Sequence, residues 1–297
     1  MHTPSTSSRR RQRSAFTLVE LMVTMVIIAM LASLTLAGLA GARQRAKIDK
    51  TRSTIRKLNE IIIPQYESYL SRRVPVSGGS RTGVATSRLT NRRQLMVLEM
   101  PDQWDDVGVM PTGVPRTASM IRYSAAKTSV TNVANLKAYE GAECLALIVM
   151  RGGFNPDAAE VFRNDEVGDT DKDGAPEFLD GWGRPIGFIR WPAGFASPVQ
   201  PLDWSQNPDP MDPMKVTNDY GLTPLIFSPG PDESSNDPLT SGGPTYGGLQ
   251  SSATAVPGGW MAGLPIVSVL VGSSLAGVPI DATAARDDIT NHDLIKK

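Results

Sequence analysis

The chain has 297 residues and a balanced charge, 30 Lys+Arg against 30 Asp+Glu, so it offers no electrostatic footprint for nucleic acid. One cysteine excludes an internal disulfide, and two histidines leave little for imidazole chemistry. The length suffices for a sizeable core, while 27 glycines and 23 prolines point to a loop-rich exterior.

Residues 1–15 form a basic leader carrying Arg9, Arg10, Arg11 and Arg13. An apolar run follows abruptly at Phe16 and continues to Ala42, with no charge between Glu20 and Arg43. As a helix, Leu21 to Ala42 reaches about 33 Å, enough for a bilayer's hydrocarbon core. Basic residues stay on the cytoplasmic side, which places the N-terminus inside and the remaining chain outside. A secretory signal peptide cut after Ala42 is disfavoured, because such peptides have apolar cores of about 7–15 residues. Glu20 is the anomaly. A carboxylate in lipid costs roughly 2.5–3.5 kcal/mol unless a partner relieves it, and a plain anchor gains nothing from it. The nearest cation of the right kind would be a free amine at Phe16 of a neighbouring copy, created by a cut between Ala15 and Phe16.

The residues Ala15-Phe16-Thr17-Leu18-Val19-Glu20-Leu21 behind an arginine leader resemble the class III signal of type IV pilins and type II secretion pseudopilins. The resemblance implies cleavage between Ala15 and Phe16 by a prepilin peptidase and N-methylation of Phe16. It also implies that Glu20 pairs with the Phe16 amine of the adjoining subunit during filament assembly. The family usually has Gly before the cut; here it is Ala15.

Arg43 to Arg73 reads as a helical stem. Ile48, Thr51, Ile55, Leu58, Ile62 and Tyr69 define one stripe, and Pro64 is expected to kink the helix or end its regular part. Val74 to Arg93 is rich in Gly, Ser, Thr and Arg and reads as a loop, followed by a short helix from Gln94 to Glu99. Asn135 to Arg151 predicts a second helix, closed by Gly152-Gly153 and holding Cys144 as inert packing. Pro185–Trp191, Pro224–Ser228 and Pro265–Val271 read as strands. Between them, 192–223 and 229–263 read as long loops, and 277–297 as a polar tail.

The strongest motif outside the membrane lies between Asp169 and Asp180. Calcium takes six to eight oxygens, and a loop with acids at positions 1, 3, 5, 9 and 12 and Gly at 6 wraps one ion. Those positions are Asp169, Asp171, Asp173, Glu177 and Asp180, with Gly174 at the turn and Ala175 offering its carbonyl. Repulsion among five carboxylates also favours a cation. Asp180-Gly-Trp182-Gly183-Arg-Pro185 resembles the segment that opens the C-terminal sheet of the major pseudopilin, implying a tight turn with Trp182 packing down. Ser228-Pro-Gly230-Pro-Asp232 and Asp287-Asp288-Ile289 resemble two pieces that meet around a calcium ion in that family. The resemblance therefore implies a second site at Asp232, Asp287 and Asp288, although a long insertion separates them here.

No nucleophile elbow, zinc motif or phosphate loop is present, and a Ser-His-Asp site would have to use His292. The expectation is an α+β, type IV pilin-like fold with a long N-terminal transmembrane and stem helix packed on a small antiparallel sheet with long loops. Its divisions are a leader (1–15), a transmembrane helix (16–42), a stem (43–73) and an exterior domain (74–297). The resemblance implies a non-enzymatic subunit of the inner membrane whose exterior domain is periplasmic. Its partners would be prepilin peptidase, other pilin-like subunits, an inner-membrane assembly platform and membrane lipid, with no nucleic acid. The rival is a membrane-anchored calcium- or glycan-binding module that never polymerises.

Overall fold

The apolar run after the arginine leader is helical and belongs to α1 (Leu18–Ser71). The computed structural model describes residues 16–108, 114–130, 138–231, 245–246, 249–250, 275–279, 284–286 and 288–295. The chain divides into two units, residues 1–46 and 47–297.

In the first unit, α1 is uncharged between Glu20 and Arg43, and its large apolar side chains are exposed, from Leu18 at 74% to Leu39 at 46%. The hydroxyls of Thr24, Ser33 and Thr35 each donate to the carbonyl three residues earlier. The polar side chains of this stretch are thus satisfied within the helix, as an oily surround requires. Among the described residues this is the one helix long and apolar enough to cross a membrane.

In the second unit the same helix turns amphipathic. Thr51, Ile55, Leu58, Ile62 and Tyr69 are fully buried, and Ile48 is half-buried. Pro64 does not end the helix, which runs on to Ser71. Both Pro64 and Glu60, whose carbonyl loses its helical donor, are exposed, so water can replace the missing bond.

The expected loop over Val74 to Arg93 is corrected by α2 (Arg81–Glu99). Ser80 caps it by accepting from the Gly83 N–H at 3.0 Å, and Leu89 and every residue from Arg93 to Glu99 are buried. The cap and the burial of its C-terminal half outweigh the weak propensities of Gly83 and the threonines, and the helix expected at Gln94–Glu99 is its last part. A 3-10 turn (Trp104–Asp106) and α3 (Ala118–Lys127) follow. α4 (Glu140–Arg151) is the second helix anticipated from the sequence, closed by Gly152. Gly141 lets α4 approach the sheet closely: a Cβ there would lie 2.5 Å from the Phe188 carbonyl oxygen.

The strands are short and antiparallel. β1 (Val167–Gly168) pairs with β2 (Glu177–Phe178), register Gly168 to Glu177. β3 (Gly187–Ile189), β4 (Leu225–Ser228) and β7 (Ile289–Thr290) form a three-stranded sheet with β4 central. A separate pair joins β5 (Thr245–Tyr246) to β6 (Leu249–Gln250). The polar tail therefore supplies an edge strand, a correction to its reading as tail alone. The expected strand at Pro265–Val271 lies outside the described residues. Ile55, Leu58 and Ile62 of α1, Leu145 and Ile148 of α4, and Phe178, Phe188 and Ile226 of the strands share one core cluster. This α+β arrangement is consistent with the type IV pilin-like fold.

Candidate functional site

Two places carry chemistry. The first is the start of α1. Thr17 and Glu20 form a reciprocal cap: the Glu20 carboxylate accepts from the Thr17 N–H and hydroxyl, both at 2.9 Å, and the Glu20 N–H donates to the Thr17 hydroxyl at 3.2 Å. This is the Thr-x-x-Glu capping box, whose spacing is present in the sequence at Thr17 and Glu20. Glu20 therefore satisfies its own helix start before any neighbour is present. Phe16, beside it, is exposed. Ala15 lies outside the described residues.

The second place is the tip of the β1–β2 hairpin, which is the acidic loop itself. Lys172 and Gly174 take positive φ (61° and 98°), reversing the chain on either side of Asp173. Asp169 accepts from the N–H groups of Asp173 (3.2 Å) and Gly174 (3.1 Å). Asp173 accepts from the Ala175 N–H at 2.6 Å. Glu177, the first residue of β2, accepts from the N–H (3.1 Å) and hydroxyl (3.0 Å) of Thr170. Each of these acids thus spends part of its accepting capacity on shaping the loop.

α4 brings a further carboxylate that sequence reading missed. Glu143 is buried, and its Oε2 accepts from the Trp104 indole N–H. Potential ligand oxygens of Glu143, Asp171 and Glu177 lie within 4.8 Å of one another, as do those of Asp169, Asp171 and Asp173. Asp171 belongs to both groups. Burial, reinforced by the neighbouring carboxylates, pushes Glu143 up to about 9 despite the bond from Trp104, Glu177 to about 7, and Asp171 to about 6. Burial also raises Asp173.

Asp180 stands apart from both groups. Its oxygens accept from the N–H groups of Trp182 (2.7 Å) and Arg184 (2.9 Å) and from the Ser228 hydroxyl (2.7 Å). It pins the 180–184 turn to β4, because β2 carries the chain away from the loop after Glu177. Trp182 in that turn is half-buried. Ala175 is buried beside the loop. Of the second predicted set, Asp232 and Asp287 lie outside the described residues, and Asp288 is half-buried just before β7.

His292 is not displayed on a tail but buried. Its Nδ1 lies 2.8 Å from the Ser197 hydroxyl, and its Nε2 lies 3.2 and 3.3 Å from the Thr223 and Pro224 carbonyls. The ring ties the 197–200 turn and the approach to β4 to the C-terminal segment, and burial lowers its pKa. Cys144 is likewise buried, and burial holds its thiol protonated.

Residues 10–36 match the family model described as the prokaryotic N-terminal methylation motif. The match identifies this stretch as a prepilin-type N-terminal methylation signal, of the kind that prepilin peptidase processes. No curated protein and no solved structure gives a significant match to the chain.

Proposed function

We propose that the chain is a structural subunit cut between Ala15 and Phe16, methylated on the new amine, and packed through α1 into a pseudopilus or type IV pilus-like filament. Before assembly it waits in the inner membrane, N-terminus inside and the larger unit in the periplasm, until an assembly platform extracts it. The observation that supports this reading is the pairing of an exposed apolar helix start with a single carboxylate, Glu20, inside the matched methylation motif. Lipid covers such a surface before assembly, and copies of the same helix cover it afterwards. Glu20 would then exchange its Thr17 contacts for the methylated amine of a neighbouring Phe16.

The test is the mass of the mature N-terminal peptide, from cells that contain a prepilin peptidase. The expected species begins with N-methyl-phenylalanine at Phe16. A purified protein still carrying Arg9 to Arg13 would remove the amine on which the pairing depends and leave a tethered exterior module.

A further inference from the structure

We propose a calcium site built jointly by α4 and the β1–β2 hairpin, with Glu143 closing from the helix what Asp171, Asp173 and Glu177 begin in the loop. The proposal stands apart from the N-terminal motif. It rests first on composition of the donor set. All the converging groups are carboxylates, which suit calcium, magnesium and manganese and not the thiophilic metals. Ligands on a calcium ion at about 2.4 Å lie at most about 4.8 Å apart. The oxygens of Glu143, Asp171 and Glu177 meet that limit. Magnesium keeps several waters and takes one or two carboxylates, a poor match to acids arriving from two elements.

The independent observation is what the two glutamates leave undone. Glu143 is 1% exposed and Glu177 is 0% exposed. Each has its Oε2 hydrogen-bonded, Glu143 to Trp104 and Glu177 to Thr170. Each has its Oε1 buried with no hydrogen-bond partner. A buried carboxylate oxygen without a donor is costly. Two such carboxylates grouped with a third are costlier still, and a divalent cation would supply what both lack. A cavity of about 330 Å³ between α3, α4 and the loop is lined by Glu143, Gly174 and Ala175 and offers a route inward.

The position 12 acid of the loop pattern is spent elsewhere, on the 180–184 turn. Glu143 takes its place from outside the loop. The ion would therefore fasten the hairpin tip to a core helix as well as ordering the tip.

The experiment uses the full chain in detergent micelles, stripped with a chelator and titrated with calcium alone by calorimetry. Terbium luminescence, excited through the adjacent Trp104, provides a second reading. Calcium binding is expected, together with protection of the 169–176 loop from protease that equimolar magnesium does not give. Glu143→Gln, which keeps the size and the Trp104 contact, is expected to weaken calcium at least about tenfold, since loss of even an outer partner of a metal ligand costs that much. Glu160→Gln, on an exposed turn, is expected to leave affinity unchanged. No binding at millimolar calcium would overturn the site. Wild-type affinity in Glu143→Gln would overturn the role of α4 and leave an ion held by the loop alone. If Glu143→Gln does not fold, calcium-dependent protection of the wild-type loop decides, and its absence counts against the site. None of these outcomes touches the N-terminal cut, which is read separately by mass.

Discussion

Glu20 caps its own helix, and the proposed assembly would give it a second duty; one substitution cannot separate the two and two can. As a cap it accepts from Thr17; as an assembly group it would need its charge. Glu20→Gln retains an acceptor for Thr17 and removes the charge, whereas Glu20→Ala removes both. The expected result is that both variants enter the membrane and neither forms filaments, seen by electron microscopy of sheared surface material. Filaments from Glu20→Gln would reduce the residue to its capping role. Glu166 makes a parallel case in the larger unit. Burial pushes its carboxyl up, but the Arg163 N–H, the Lys57 ammonium and the Thr54 hydroxyl together outweigh that and hold it below the usual value. A lowered folded pKa means that the native state gains stability above the unfolded value of 4.5 and loses it as pH falls through the folded one. Glu166→Gln should cost about 2 kcal/mol at pH 7, and the gap to wild type should narrow in thermal melts taken below pH 4. A gap independent of pH would mean that shape, not charge, is what Glu166 supplies.

At the level of elements, the sequence was informative where a single chemistry governed a short stretch. The leader, Phe16 and the uncharged run needed only local reading, as did β3 and β4 between their flanking prolines and glycines. The Asp169-to-Glu177 spacing was equally visible. Elements whose identity depends on distant surfaces were not. The first half of α2 was hidden because it is Gly-, Thr- and Arg-rich, and what makes it helical is the Ser80 cap and its continuity with the buried Arg93–Glu99 stretch. β7 was hidden because Ile289 and Thr290 are only two residues in an otherwise polar, charged stretch, and their pairing with Ser228 and Phe227 is not local. Glu143 was hidden because a helix shows its partners no spacing in common with a hairpin. What brings the two together is the seat of α4 on the sheet, and that seat depends on Gly141. Its missing side chain allows the contact with the Phe188 backbone. The obstacle is backbone and not a flexible side chain, so Gly141→Ala must shift α4. A loss of about 1–3 kcal/mol is expected, together with weaker calcium protection of the hairpin. Unchanged melting would show that α4 can slide without consequence.

For the molecule as a whole, the residues of α1 on either side of Lys47 meet different surroundings. Its apolar residues before Lys47 are exposed, and those after it complete the core of the larger unit. The two parts therefore differ in what their removal should do. A chain starting at Lys47 keeps Thr51, Ile55, Leu58, Ile62 and Tyr69, all fully buried. It should be soluble without detergent, and it should unfold cooperatively at a temperature close to that of the full chain. A chain starting at Arg73 loses that entire stripe. Each large buried aliphatic or aromatic side chain contributes roughly 1.5–3 kcal/mol on burial, so Ile55, Leu58, Ile62 and Tyr69 together rival the whole 5–15 kcal/mol margin of an ordinary domain. That shorter chain should be unfolded or aggregated. Circular dichroism melts of the two fragments decide the matter. A folded Arg73 fragment would mean that the stem is an accessory of the larger unit, and the stripe would then need another partner to explain it. An unfolded Lys47 fragment would mean that the apolar segment before it contributes to the fold of the larger unit, and its exposed surface could no longer be reserved for lipid and for other copies.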